Sequence, residues 1–121
     1  MEIIKRDQVK PLVSEYGEIV RELASPSIAN LRRHSVAEVT IEPGGRSMRH
    51  YHRQLEEVYY ILQGQGQMEL DDEVHVVQPG DTVIIPPLTR HLIRNTGAQD
   101  LVMVVTCAPA WSPEDEVPVG E

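Results

Sequence analysis

The sequence predicts an antiparallel all-β domain, a sandwich or barrel, and three observations carry that expectation. Short runs rich in Val, Ile, Thr and Tyr recur along most of the chain. Turn residues break them at close intervals, at Gly64-Gln65-Gly66, Asp71-Asp72, Pro79-Gly80, Pro86-Pro87 and Gly97. Where a run is long enough to show a period, the period is two, which is that of a strand with one buried face. Closely spaced strands separated by such turns fold as sandwiches or barrels.

Taken in order, the stretch from Asp7 to Tyr16 is ambiguous, because Pro11 limits any helix there to a turn or two. Glu18–Leu23 reads as a strand between Gly17 and Ser25-Pro26-Ser27. Ser35–Glu42 alternates, with Ala37, Val39 and Ile41 on one face and Glu38, Thr40 and Glu42 on the other. The remaining runs are Met48–His52, Val58–Leu62, Gln67–Leu70, Val74–Val77, Thr82–Ile85, His91–Asn95 and Leu101–Cys107. The tail from Ala108 to Pro118 is too acidic and proline-rich for a central strand. It is expected to pack Trp111 on the barrel or a partner and then fray. One domain follows, with an N-terminal arm at 1–34, a barrel at 35–107 and a C-terminal tail at 108–121; 121 residues suffice for one core and not for two.

Composition excludes several function classes. The apolar 40% comes mostly from Val, Ile and Leu, with no Phe, which indicates an aliphatic core. A net charge of −8 argues against a nucleic-acid surface, and Arg32-Arg33-His34 reads as a solvated strand face or turn. No apolar run approaches the roughly 20 residues that a membrane helix needs. The lone cysteine, Cys107, has no internal disulfide partner, and Met1-Glu2-Ile3-Ile4-Lys5 lacks the apolar core of a signal peptide. A cytoplasmic location is therefore expected.

The chemistry is concentrated in two blocks. In His50-Tyr51-His52 the two imidazoles share a face if the run is extended. Glu57 begins the next run, and His91 comes from a separate hairpin. The four can meet only if the sheets fold over each other, as in a jelly roll. Three imidazoles and one carboxylate suit Fe, Mn, Co, Ni, Cu or Zn as divalent ions, and do not suit Ca or Mg, which prefer oxygen. A six-coordinate ion would keep two positions open for water or substrate, the mark of a working site. A lone strand histidine is ordinarily a satisfied or half-exposed residue, so the set carries the argument and no single member does.

Both blocks resemble the two motifs of the cupin superfamily. Gly44, His50, His52, Glu57 and Gly64 fit the first motif; Gly80, Pro86, His91 and Asn95 fit the second. One position departs: Leu88 stands where the family usually has Gly, so the turn before His91 could differ in conformation. The resemblance covers about residues 35 to 107 and implies a double-stranded β-helix barrel with metal held by His50, His52, Glu57 and His91. Glu56 competes with Glu57, but the spacing to Gly64 favours Glu57, which would turn Glu56 to the opposite face.

Strand phase suggests the lining of the cavity. With Glu57 inward, Tyr59 and Ile61 follow; with His50, Met48; with His91, Ile93; on the last strand, Met103, Val105 and Cys107 or their neighbours. The expected cavity is mostly apolar with Tyr59 a polar exception, a phenol able to act as a general acid or simply to bond a backbone carbonyl. Cys107 reads as a small core hydrophobe. Tyr51, Arg53, His75 and Arg90 are expected at the rim or outer face, with Arg90 the candidate anion contact.

The resemblance further implies a metal-dependent enzyme acting on a small organic molecule, of the dioxygenase or the sugar isomerase or lyase type. Sugar-phosphate chemistry would need a cluster of Arg or Lys that the inferred lining does not supply. The alternatives are a non-catalytic ligand-binding or sensor barrel and a barrel whose metal is structural. The expected partners are a small-molecule substrate or ligand and a second copy in a homodimer, with Glu18–Leu23 available for edge pairing; neither nucleic acid nor membrane is expected.

Overall fold

The computed structural model describes residues 1–120, which form a double-stranded β-helix of jelly-roll type. A 3-10 turn at Arg6–Gln8 precedes β1 (Leu12–Val13), β2 (Glu18–Ala24) and β3 (Ser35–Ile41). The chain continues through β4 (His50–His52), β5 (Glu56–Gln63), β6 (Gly66–Leu70), β7 (Glu73–Val77) and β8 (Thr82–Ile85). It ends with β9 (His91–Asn95), β10 (Leu101–Ala108) and β11 (Glu116–Pro118). One sheet has the order β1-β2-β3-β10-β5-β8 and the other β11-β4-β9-β6-β7. Every strand pair is antiparallel.

The period of two sorts the long strands onto the two faces. On β10, Leu101, Met103, Val105 and Cys107 are buried while Val102, Val104 and Thr106 are only partly so. On β5, Glu57, Tyr59 and Ile61 point inward and Glu56, Tyr60 and Leu62 are exposed. Register then stacks these rows: Met103 faces Ile61 on one side and Val39 on the other, and Cys107 faces Glu57 and Ser35. One end of the barrel is filled solid by Ile41, Ile61 and Leu101, each fully buried, and burying such a side chain is worth about 2 kcal/mol. Gly64 seals that end at φ +84°, where a Cβ would come within 2.5 Å of the Asp100 carbonyl. Asn95 stitches the same end, donating to the carbonyls of Ile41 and Gln99 and accepting from Gly97 N.

Three expectations need correction. The tail does not fray after Trp111: Glu116–Pro118 pairs with β4 as an outer strand, a position that tolerates Pro118 because the strand has a neighbour on one side only. The edge of β2 is partly taken, because β1 folds back onto Ile19 and Val20. The run beginning at Met48 joins the ladder only from His50. No helix among the described residues is long and apolar enough to cross a membrane.

Candidate metal centre

Both sheets contribute to one buried cluster. In β4, His50 and His52 share the inward face with Tyr51 turned away between them, and His50 pairs directly with His91 of β9. Glu57 reaches the same point from β5 in the opposite sheet. One ligand atom from each of the four residues lies within 4.8 Å of every other. All four are buried, from 6% exposed for His50 to 0% for His91. Glu57 Oε1 stands 3.0 Å from His91 Nε2 and 3.4 Å from His52 Nε2, without the alignment of a hydrogen bond to either. Donor atoms that share an ion at about 2.1 Å sit roughly 3 Å apart when adjacent, so these spacings fit.

The remaining bonds of these side chains orient them. His50 Nδ1 pairs with the Met48 carbonyl at 2.7 Å and His91 Nδ1 with the Thr89 carbonyl at 2.9 Å, which leaves each Nε2 facing the cluster. The Cys107 thiol donates to Glu57 Oε2 at 3.5 Å and leaves Oε1 to the centre. His52 Nε2, His91 Nε2 and Glu57 Oε1 are buried with no hydrogen-bond partner. Orphaned buried polar atoms that converge on one point are what a divalent ion satisfies, and the cluster fits such a site.

Ligation requires neutral imidazoles and an ionised carboxylate. Burial lowers His50 to about 4, assisted by His91, so its ring stays neutral at physiological pH. Burial opposes the charge on Glu57, but His52 and His91 outweigh it and bring that carboxyl down to about 2. His52 is raised despite burial, because Glu57, Glu116 and Asp115 favour its protonated form. Burial also pushes the Cys107 thiol and the Tyr59 phenol up, so both keep their protons.

The cluster borders a cavity of about 530 Å³. Met48, Ile93, Met103 and Val105 line it, as the strand phase predicts, together with Tyr59, Cys107 and Trp111. Tyr59 is one polar group of this lining, as expected, and Glu18, Glu22 and Glu116, which were not expected, line the cavity with it. Glu18 accepts the Met48 N–H at 3.4 Å and is raised to about 7, chiefly by burial. Glu116 Oε1 lies 3.5 Å from His50 Nε2 and accepts the Trp111 indole N–H at 3.4 Å. Among the described residues no Lys or Arg lines the cavity.

The other candidates lie elsewhere. Glu56 and Arg90 are exposed, as are Arg53 and His75, while Tyr51 is half-buried. Leu88 occupies φ +67°, so the turn before His91 keeps the left-handed geometry that Gly would supply. Sequence reasoning missed Glu18, Asp115 and Glu116. The phase of β2 places Glu18, Val20 and Glu22 on one face and was a usable signal; the tail carboxylates had none, since only tertiary pairing brings them to the histidines.

A jelly-roll barrel with three histidines and a glutamate converging inside one end defines a small β-barrel of the metal-binding type. More closely, the chain belongs to the cupin family, whose Cupin domain model matches residues 37–107. It is 42% identical over 117 residues to an uncharacterized protein of Methanocaldococcus jannaschii, covering 95% of this chain and 94% of that one. It is 33% identical over 107 residues to protein SchB of Streptomyces halstedii, over 88% of this chain and 77% of that one. Among solved structures, the polyketide cyclase RemF from Streptomyces resistomycificus matches with a TM-score of 0.82 at 22% identity, over 100% of this chain and 87% of that one. That likeness is one of fold.

Proposed function

We propose that this cupin is a metal-dependent enzyme acting on a small, uncharged and largely apolar organic molecule. The observation that carries the reading is that Glu57, whose unpaired Oε1 meets the unpaired His52 and His91 nitrogens, lines with His50 a cavity walled by Met48, Ile93, Met103 and Val105. In this reading His50, His52, Glu57 and His91 hold the ion. When bound, it supplies Lewis acidity that polarises a carbonyl or enolate oxygen of the substrate.

The chain's own residues do the rest. The apolar walls bind the body of the substrate and exclude water. Tyr59, on the same strand face as Glu57, is the proton donor; burial raises its phenol, so it carries its proton at neutral pH. The proton-carrying Tyr59 and Cys107 beside the four residues that would hold the ion favour isomerase- or lyase-type proton transfer over dioxygenase chemistry. The absence of Lys and Arg from the lining disfavours sugar phosphates, whose charge the glutamates would repel. An uncharged carbonyl compound suits this cavity, with its walls of Met48, Ile93, Met103 and Val105, better.

The test begins with elemental analysis of protein purified without added metal, for the wild type and for His50→Ala and His91→Ala. About one ion per chain is expected in the wild type, with loss in both variants. Full metal content in both variants sinks the ligand assignment. Oxygen uptake and the conversion of neutral carbonyl compounds are then followed for the loaded protein and for Tyr59→Phe. Conversion without oxygen uptake, reduced at least tenfold by Tyr59→Phe, is the expected result; oxygen uptake coupled to turnover would refute the proton-transfer reading.

A further inference from the structure

Two of the three imidazoles in the cluster are held from behind in the same way. His50 and His91 each use Nδ1 to bond the carbonyl two residues earlier in the chain, at 2.7 and 2.9 Å. His52 breaks this pattern. It is 2% exposed, yet its Nδ1 has no hydrogen-bond partner. An unpaired polar atom in such a place is costly, and nothing bonded to this nitrogen fixes the orientation of the ring from behind.

The group that stands behind His52 comes from the tail. Asp115 Oδ2 lies 3.7 Å from His52 Nδ1. The carboxylate is itself firmly placed: Oδ1 accepts the Gln54 N–H at 2.8 Å and Oδ2 the Leu55 N–H at 3.2 Å. The Asp115 carbonyl accepts the Arg53 N–H at 2.9 Å, and the next residue, Glu116, pairs with His52 in the ladder between β11 and β4. Each carboxylate oxygen can accept two bonds, so Oδ2 keeps a lone pair for His52 after serving Leu55.

We infer that Asp115 is a positioning residue of the metal centre: it accepts the His52 Nδ1–H, so the turn that leads into the C-terminal strand completes the site. The inference rests on the reading of His52 as a ligand. With Nε2 engaged, the Nδ1–H becomes a stronger donor, and the gap closes from 3.7 Å toward the roughly 2.8 Å of a charge-assisted bond. Of the three ligand imidazoles, His52 alone would then be backed by a charge. A carboxylate behind a ligating histidine fixes its tautomer and raises its basicity, and removing such a partner lowers metal affinity about 10–100-fold.

The test uses the full chain loaded with Co(II). Affinity is measured by competition with a chelator, and the exchangeable, paramagnetically shifted Nδ1–H protons of the ligand histidines are followed by NMR. Asp115→Ala is expected to weaken Co(II) binding 10–100-fold and to shift or lose the His52 resonance, leaving those of His50 and His91 in place. Asp115→Asn keeps one acceptor oxygen, enough for the shorter bond from the Gln54 amide, without the charge, and serves if the alanine variant does not fold. It is expected to weaken binding several-fold and to move the same resonance. The exposed neighbour Glu114, changed to Gln, should alter neither reading. Unchanged affinity and an unmoved His52 resonance in the asparagine variant overturn the inference; failure of the wild type to bind Co(II) at all overturns the ligand assignment instead.

Discussion

The two ends of the barrel are made by the same strands and built in opposite ways. On β3, β5 and β10 the residues Ile41, Ile61 and Leu101 meet at one end with nothing left exposed. One or more alternations along the same strands, Val39, Tyr59 and Met103 and then Ala37, Glu57, Val105 and Cys107 border the cavity. The solid end is aliphatic and tightly sealed at Gly64. The open end collects four buried ligand-type side chains and the carboxylates Glu18 and Glu116. Packing at one end supplies the stability that lets the other hold polar groups against the pull of solvent.

Truncation at each end gives the largest expected contrast. Ile61→Ala removes three carbons from a site with no room to relax, and a loss of about 4 kcal/mol is expected in denaturant unfolding. Met103 faces Ile61 in the ladder but, unlike it, lines the cavity, so Met103→Ala enlarges existing space rather than opening a new void, and about 2 kcal/mol is expected. Equal losses at the two positions would show that the open end is packed as tightly as the solid one.

A smaller effect of opposite sign is expected from Glu18. Burial raises its carboxyl from the ordinary 4.5 to about 7, so the folded chain holds a proton that the unfolded chain has released. Its contribution to stability is therefore fully present below pH 4.5 and is lost as the pH rises through 7. Glu18→Gln in the metal-free protein should gain about 2 kcal/mol at pH 8, allowing for partial exposure, and almost nothing at pH 4. A gain that is the same at both pH values would mean that the ionised carboxylate carries no burial penalty at the open end.

The two ends also differ in how far they could be read from the sequence. Alternation in Ser35–Glu42 and in the last strand announces the aliphatic rows directly, because an inward phase needs no knowledge of what it faces. The four ligand-type residues were legible for a related reason: His-x-His fixes a shared face, and the spacing from Glu57 to Gly64 separates Glu57 from Glu56. Asp115 and Glu116 were not legible. Their approach to His52 and His50 depends on an outer strand of three residues, ending at Pro118, whose pairing is set by tertiary contact and by no local pattern. Glu18 lies between these cases, since its phase was readable but nothing in the strand marked a carboxylate on that face as buried.

Leu88 tests the comparison most finely. It lies behind the centre, donating its N–H to the His52 carbonyl at 2.7 Å, and it holds φ +67° while the residue is 66% exposed. A branched residue in the left-handed region costs about 1–2 kcal/mol, and a side chain so exposed recovers little of it by packing. Glycine removes the clash but also gives the unfolded chain more freedom, which offsets part of the gain. Leu88→Gly should therefore raise stability by about 0.5–1 kcal/mol, read as a higher denaturant midpoint at constant slope. Metal affinity should stay the same, since the turn already has the geometry that glycine adopts. A loss of stability would show that the Leu88 side chain has packing to give up, and that backbone strain is not among the burdens the open end carries.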